Sequence, residues 1–179
     1  MAYLKIRHKE QEGYIGGKYH DRDSFHDVIS YVLRPEKTPS HYIGGIGVDV
    51  LYAAAQMETL SACFGQNQGV HLRHMILAFE NGELYRSRKH ALALAYQLAY
   101  PIAQFYGDCY QVIYAVHEDT DNVHIHFVMN TTNYRTGRKY PGTKEDYYRF
   151  VRHVEHILEP YGCKVKLLRD RTEWEEELF

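Results

Sequence analysis

His117-Glu-Asp-Thr-Asp-Asn-Val-His124-Ile-His126-Phe-Val-Met-Asn130 is the stretch whose reading decides the fold. His124 and His126 sit two apart in an apolar, β-branched run. On a strand that spacing sends both imidazoles to the same face. His117 closes an earlier apolar run that begins at Val112, and residues 118–122 between the two runs are polar and turn-like. Paired as an antiparallel hairpin, residues 110–117 and 123–130 bring three neutral imidazoles to one point. Three protein nitrogens with positions left open form the ligand set of a catalytic divalent metal. The histidines do not by themselves choose between zinc and a harder ion such as magnesium or manganese. The competing reading is a chance pair on a sheet edge in a chain with 12 histidines. Glu118, Asp119 and Asp121 read either as carboxylates that orient the imidazoles or as an ordinary solvated turn.

Outward from the hairpin, the pattern alternates strands and helices. Strands are predicted at residues 3–8, 42–45, 71–79 and 164–168. Helices are predicted at residues 24–33, ending before Pro35, at 49–64, at 87–106 with a kink at Pro101, and from Thr143 to Pro160 or Gly162. Thr143-Lys-Glu-Asp146 resembles a capping box. Residues 134–140 read as a small β-arm around Thr136-Gly137. His153 and His156 fall off the apolar stripe of the last helix and read as solvated. The expected architecture is an α+β sandwich: a central antiparallel sheet with helices packed on its face, drawn here as one side.

A length of 179 residues fits one domain with a real core. No run is apolar enough to cross a bilayer and the first residues do not form a signal peptide, so no membrane insertion and a cytoplasmic location are expected. Cys63, Cys109 and Cys163 are an odd, scattered set. That argues against a disulfide framework and against a cysteine-rich zinc site, and they read as buried small side chains. The formal net charge of −2 does not advertise a nucleic-acid binder. The charge is uneven, however, since the last eight residues hold four acids and no base. Basic clusters stand at Arg86, Arg88 and Lys89, at Arg135, Arg138 and Lys139, and from Lys164 to Arg171. Each reads first as solvated surface, and the 86–90 cluster and the 134–139 arm are the candidates for contact with a nucleic-acid backbone. Seventeen tyrosines among such clusters suit stacking on single-stranded bases, although most such rings serve as core or rim.

Tyr31 stands in Ser30-Tyr-Val-Leu-Arg-Pro-Glu-Lys-Thr38, away from the Phe25, Val28, Ile29 and Val32 stripe of its helix. From position alone it reads as a surface tyrosine at a helix end or as a nucleophile, with Tyr14, Tyr19 and Tyr42 as rivals. The two motifs together resemble those of the HUH endonucleases, and more narrowly the P-type mobilisation relaxases of plasmids and integrative conjugative elements. That family carries a form like H-x-D-T-D-N-x-H-x-H-F, preceded by one like D-Y-I-x-N-P-x-K-T, in the order found here. A looser third motif, H-x-I-x-S-F, aligns with His74 to Phe79, with Ala78 where the serine stands.

The resemblance implies an HUH relaxase-like fold in a single nicking domain, residues 1–179, of a kind that commonly continues into further domains. It implies Tyr31 as the DNA-attacking tyrosine and His117, His124 and His126 as ligands of a divalent ion, manganese or magnesium, with zinc or others open. Asp119 is a candidate to take the phenol proton, and His74 a candidate to contact DNA or support the ligands. The expected reaction is strand-specific nicking and religation at an origin of transfer through a 5′-phosphotyrosyl link. Its partners would be single-stranded origin DNA with an adjacent hairpin, accessory relaxosome proteins and a secretion coupling protein in a bacterial cytoplasm. The alternatives are a rolling-circle replication initiator of the same superfamily, in which the tyrosine usually follows the histidines, a three-histidine zinc hydrolase, and a non-catalytic DNA-binding module.

Overall fold

A computed structural model describes residues 1–6, 19 and 23–168. Strands β1 (Ala2–Ile6), β2 (Ile43–Ile46), β3 (Leu72–Phe79), β4 (Val112–His117), β5 (Val123–Asn130) and β6 (Val165–Leu168) form one sheet in the order β2-β4-β5-β3-β1-β6. Every pairing is antiparallel except that of β6 with β1, which is parallel. The sheet is therefore mixed at one edge, because the chain crosses over through α4 (Lys144–Leu158) before entering β6.

Strand alternation divides the core in two. Met75, Leu77, Phe79, Val112, Tyr114, Val116, Ile125, Phe127 and Met129 point to one face, under α3 (Arg88–Gly107) and α4. Leu72, Ile113, Ala115 and Val128 point to the other, where α1 (Ser24–Val32) lays down Phe25, Val28, Ile29 and Val32 and α2 (Ala53–Cys63) adds Ala53 and Met57. Helices thus cover both faces, not the single side drawn from sequence. The period-2 pattern shows that a strand is buried on both faces but not which helix covers which. Each large α1 side chain contributes roughly 2 kcal/mol of burial, so this short helix is held by the sheet beneath it rather than by its own propensity.

Helix α2 offers a thin buried stripe, Ala53, Met57 and Ser61, and is fastened by polar contacts instead. Asn130, with no exposed surface, donates through Nδ2 to the Met57 carbonyl and to Gln111 Oε1, both at 3.1 Å. Its Oδ1 accepts from Ser61 Oγ at 3.2 Å and from the Thr132 amide at 2.9 Å.

Several local expectations change. The predicted helix at 49 begins as a 3-10 turn, Val50–Tyr52, with the Asp49 side chain accepting from the Leu51 amide at 2.9 Å. The predicted arm at 134–140 has one bridge, Thr132 to Lys139. Asn133 Oδ1 accepts from the amides of Arg135 and Thr136, closing a turn there instead of a ladder. His153 is half-buried, not solvated: its Nε2–H donates to the Pro101 carbonyl at 2.8 Å, and its ring lies 5.2 Å from that of Phe105. His156 is exposed as expected. All three cysteines are free, but only Cys163 is buried; Cys63 is exposed at the outer side of the α2 terminus. Helix α3 runs unbroken through Pro101. No helix among the described residues is long and apolar enough to cross a membrane. Residues 7–18, 20–22 and 169–179, which hold Tyr14, the end of the predicted first strand, Arg169, Arg171 and the acidic tail, lie outside the described residues.

Candidate metal centre and nucleophile

The hairpin register sets the histidines. His117 of β4 lies directly opposite His124 of β5, and Ala115 opposite His126. His117 and His126 are thus diagonal neighbours on the face that α1 covers. Ring centroids are 5.2 Å apart for His117 and His124, 4.1 Å for His117 and His126, and 5.1 Å for His124 and His126. One nitrogen from each ring lies within 4.8 Å of the other two.

Each ring is oriented by a bond on its far nitrogen. His117 Nε2 meets the Val32 carbonyl at 2.7 Å, so Nε2 carries the proton. That carbonyl belongs to the last residue of α1, where a helix leaves its C=O groups unsatisfied. One bond therefore fixes the His117 tautomer and docks the end of the helix that bears Tyr31. His117 Nδ1 is buried with no hydrogen-bond partner. An orphaned imidazole lone pair inside a cluster of three is what a metal ligand looks like when the protein alone is considered. His124 Nδ1 lies 3.1 Å from the Asn122 carbonyl, which turns Nε2 inward. His126 Nδ1 lies 2.7 Å from His74 Nε2, and His74 Nδ1 lies 3.2 Å from the Tyr19 hydroxyl. The nitrogens left to face a common point are thus Nδ1 of His117 and Nε2 of His124 and His126, a donor set that fits a divalent ion.

Burial pushes the His117 imidazole down to about 4, with the neighbouring His124 adding to the effect. The folded ring stays neutral where an unfolded one, at about 6.5, takes up a proton. The unfolded state therefore gains protons first as the pH falls, and stability drops between about 6.5 and 4. Urea unfolding of chelator-treated protein across that window should show this loss, and a His117→Gln variant a shallower one. Equal slopes in the two proteins would contradict the assignment.

Asp119 Oδ2 accepts from Lys37 Nζ at 2.5 Å. Its Oδ1 stands 3.9 Å from His117 Nδ1 and 3.7 Å from His124 Nε2. Burial would raise the carboxyl, but the Lys37 bond and the adjacent imidazoles outweigh it and hold the group below its ordinary value. The Tyr31 ring is half-buried, 6.4 Å from that of His117 and 6.1 Å from that of His126. Arg34 and Lys37 approach it to 5.4 and 5.5 Å.

Of the rival tyrosines, the two among the described residues, Tyr19 and Tyr42, are elsewhere. Tyr19 is buried with its hydroxyl on His74, one residue removed from the cluster. Tyr42 packs with Tyr96 against the other core.

The remaining sequence candidates divide. His74 is 1% exposed and supports His126 from behind, so it does not lie on a DNA-facing surface. Ala78, where a serine was expected, sits opposite His124 and presents only a methyl group. Arg88 donates to the carbonyls of Glu118, Thr120 and Asp121 at 2.5, 2.6 and 3.1 Å, clamping the loop that carries Asp119. Arg135 is turned to the Asp108 carbonyl. Lys139 donates to the Val70 carbonyl at 2.9 Å. Arg86, Lys89 and Arg138 are exposed. Sequence reading missed Lys37 and the Val32 carbonyl. Lys37 stood in the quoted Tyr31 motif, but nothing local tied it to Asp119.

The mixed sheet thus carries a three-imidazole cluster that could hold a metal ion, beside a helix-borne tyrosine. A model of the relaxase family (MobA/VirD2-like, nuclease domain) matches residues 31–163, and the chain belongs to that family. Two Staphylococcus aureus proteins, each called Protein rlx, are 31% and 29% identical over 121 residues. Those residues are 68% of this chain and 36% of each relative, so the chain spans about a third of their length.

Proposed function

We propose that this domain cuts and rejoins one DNA strand at an origin of transfer, with Tyr31 as nucleophile and His117, His124 and His126 holding a divalent ion. The observation that carries the reading is the Tyr31 ring about 6 Å from two of the three imidazoles. The Tyr31 oxygen forms a bond to phosphorus, the P–O3′ bond breaks, the phenol loses its proton and the departing 3′-oxygen gains one. The products are a 5′-phosphotyrosine and a free 3′-hydroxyl. The reverse attack restores the strand without an external energy source, because the ester bond is conserved in the link. A bound divalent ion supplies positive charge for the phosphate oxygens as negative charge builds there.

The residues of the chain do the positioning. Val32 and His117 lock the helix end, so that Tyr31 faces the cluster. Arg34 and Lys37 set positive charge beside the ring, which suits an incoming phosphodiester. The carboxylate of Asp119, considered from sequence as the proton acceptor, has its two oxygens on Lys37 and toward the imidazoles, which favours an orienting role. Three neutral nitrogens suit manganese better than magnesium, which prefers oxygen ligands. Arg86, Lys89 and Arg138 are the exposed cations proposed to track the DNA backbone, with Arg88, Arg135 and Lys139 shaping the loops beside them. An origin hairpin, accessory proteins and a coupling protein are proposed partners on the family resemblance alone.

Incubation with manganese and a single-stranded origin oligonucleotide should yield a protein–DNA adduct stable to denaturation. Chelation should abolish the adduct while binding persists. Adduct formation unaffected by chelator would overturn the metal half of the reading, and binding with no adduct under any divalent ion would overturn the nuclease reading.

A further inference from the structure

Beyond the charge it sets beside the Tyr31 ring, Lys37 is joined to the Asp119 carboxylate, which faces the imidazole nitrogens. Its backbone is fixed in the turn after α1: the Lys37 amide donates to the Arg34 carbonyl at 3.0 Å, and the Lys37 carbonyl accepts from the Glu118 amide at 2.9 Å. Its Nζ reaches Asp119 Oδ2 at 2.5 Å, and the two side chains are about three-quarters buried, 27% and 23% exposed. The other oxygen, Oδ1, points to His117 Nδ1 and His124 Nε2 at 3.9 and 3.7 Å. Donor atoms sharing one small divalent ion lie about 3–3.4 Å apart, given bonds near 2.1 Å. Asp119 Oδ1 thus lies within the 4.8 Å that spans the three histidine nitrogens, in reach of an ion they would share, while Lys37 holds the carboxylate by its other oxygen.

We propose that Lys37 is a positioning residue that tethers Asp119 outside the coordination sphere, so that the ion keeps its open positions for the scissile phosphate. The proposal rests on the reading that His117, His124 and His126 hold a divalent ion. A carboxylate is the best available anionic ligand at this site. Once bound, it would compete with the phosphate for coordination and cancel part of the charge meant for it. Tethering it by one oxygen keeps its negative field near the imidazoles while withholding it as a ligand. Arg34, the other cation near the Tyr31 ring, is exposed and makes no such link among the described contacts.

The test pairs metal affinity with strand cleavage, because the two should move in opposite directions. Manganese binding is measured by calorimetry on the parent and on Lys37→Met, Lys37→Arg, Asp119→Asn and Lys37→Met/Asp119→Asn, each checked for native unfolding. Lys37→Met is expected to bind manganese about 10-fold tighter or more, in the range typical of outer-ligand changes, and to form adduct more slowly. Lys37→Arg should keep the parent affinity. Asp119→Asn alone should change it by less than about threefold, since the carboxylate is not a ligand in the parent. The double variant should return to the parent value.

Unchanged or weaker binding in a Lys37→Met protein of native unfolding overturns the proposal, and tightening cannot come from a loosened structure, which lowers affinity. Tightening that survives Asp119→Asn is a through-space charge effect and also overturns it. A 10-fold loss in Asp119→Asn, which does not require the Lys37 variant to fold, would show the carboxylate already ligating. A parent that binds no manganese sinks the metal reading itself; the other failures sink only the role of Lys37.

Discussion

Tyr31→Phe is expected to leave no detectable covalent adduct, a loss of at least about 10⁴-fold in strand transfer, the scale seen when a nucleophile is deleted. The ring remains, so its packing against His117 and His126 persists. Only a hydroxyl is removed, and one hydrogen bond is worth about 1 kcal/mol, or roughly fivefold in single-strand affinity. A denaturing gel for adduct and a binding titration on the same oligonucleotide separate the two effects. An adduct of parental yield would move the role to another tyrosine. Among the described residues Tyr19 is walled in behind His74 and Tyr42 lies in the opposite core, so Tyr14 would then be the next variant to make.

His124→Ala is expected to lower manganese affinity by about 100-fold or more and to bring cleavage to the level of chelated parent, with single-strand binding largely kept. His124 is the right ligand to remove first. Its side chain is 12% exposed, whereas that of His117 is fully buried and also bonds Val32, so that its loss would loosen α1 as well. A His124→Ala protein of parental thermal stability that still binds manganese at parental strength would show that the cluster is not the metal centre. Loss of metal binding with full cleavage would separate the cluster from catalysis.

The site was legible where its chemistry is written locally. His117, His124 and His126 are separated by one turn on a hairpin, and period-2 alternation assigns their face without knowledge of anything else. Tyr31 was legible as a residue off its helix stripe, and its link to the histidines rested on the order of two motifs. The basic clusters misled in part, because Arg88, Arg135 and Lys139 spend their donors on backbone carbonyls. A charge count cannot distinguish a cation facing solvent from one closing a loop. Helices on one face were expected and both faces are covered, since burial of a strand on both sides leaves no record of which helix supplies each layer. His153 misled for the same reason: an off-stripe position on α4 still meets α3.

By itself the amino-acid order determined the strands, the hairpin, the cluster of three histidines and the family motif around Tyr31. All of these depend on neighbours a few positions apart and on the geometry of an extended chain. Packing alone decided that the Val32 carbonyl receives His117, that His74 backs His126, and that Lys37 holds Asp119. Those contacts join residues 52 to 85 positions apart. They exist only once α1 has settled on the sheet, because a side-chain hydrogen bond needs atoms within about 3 Å and no local rule brings distant residues so close.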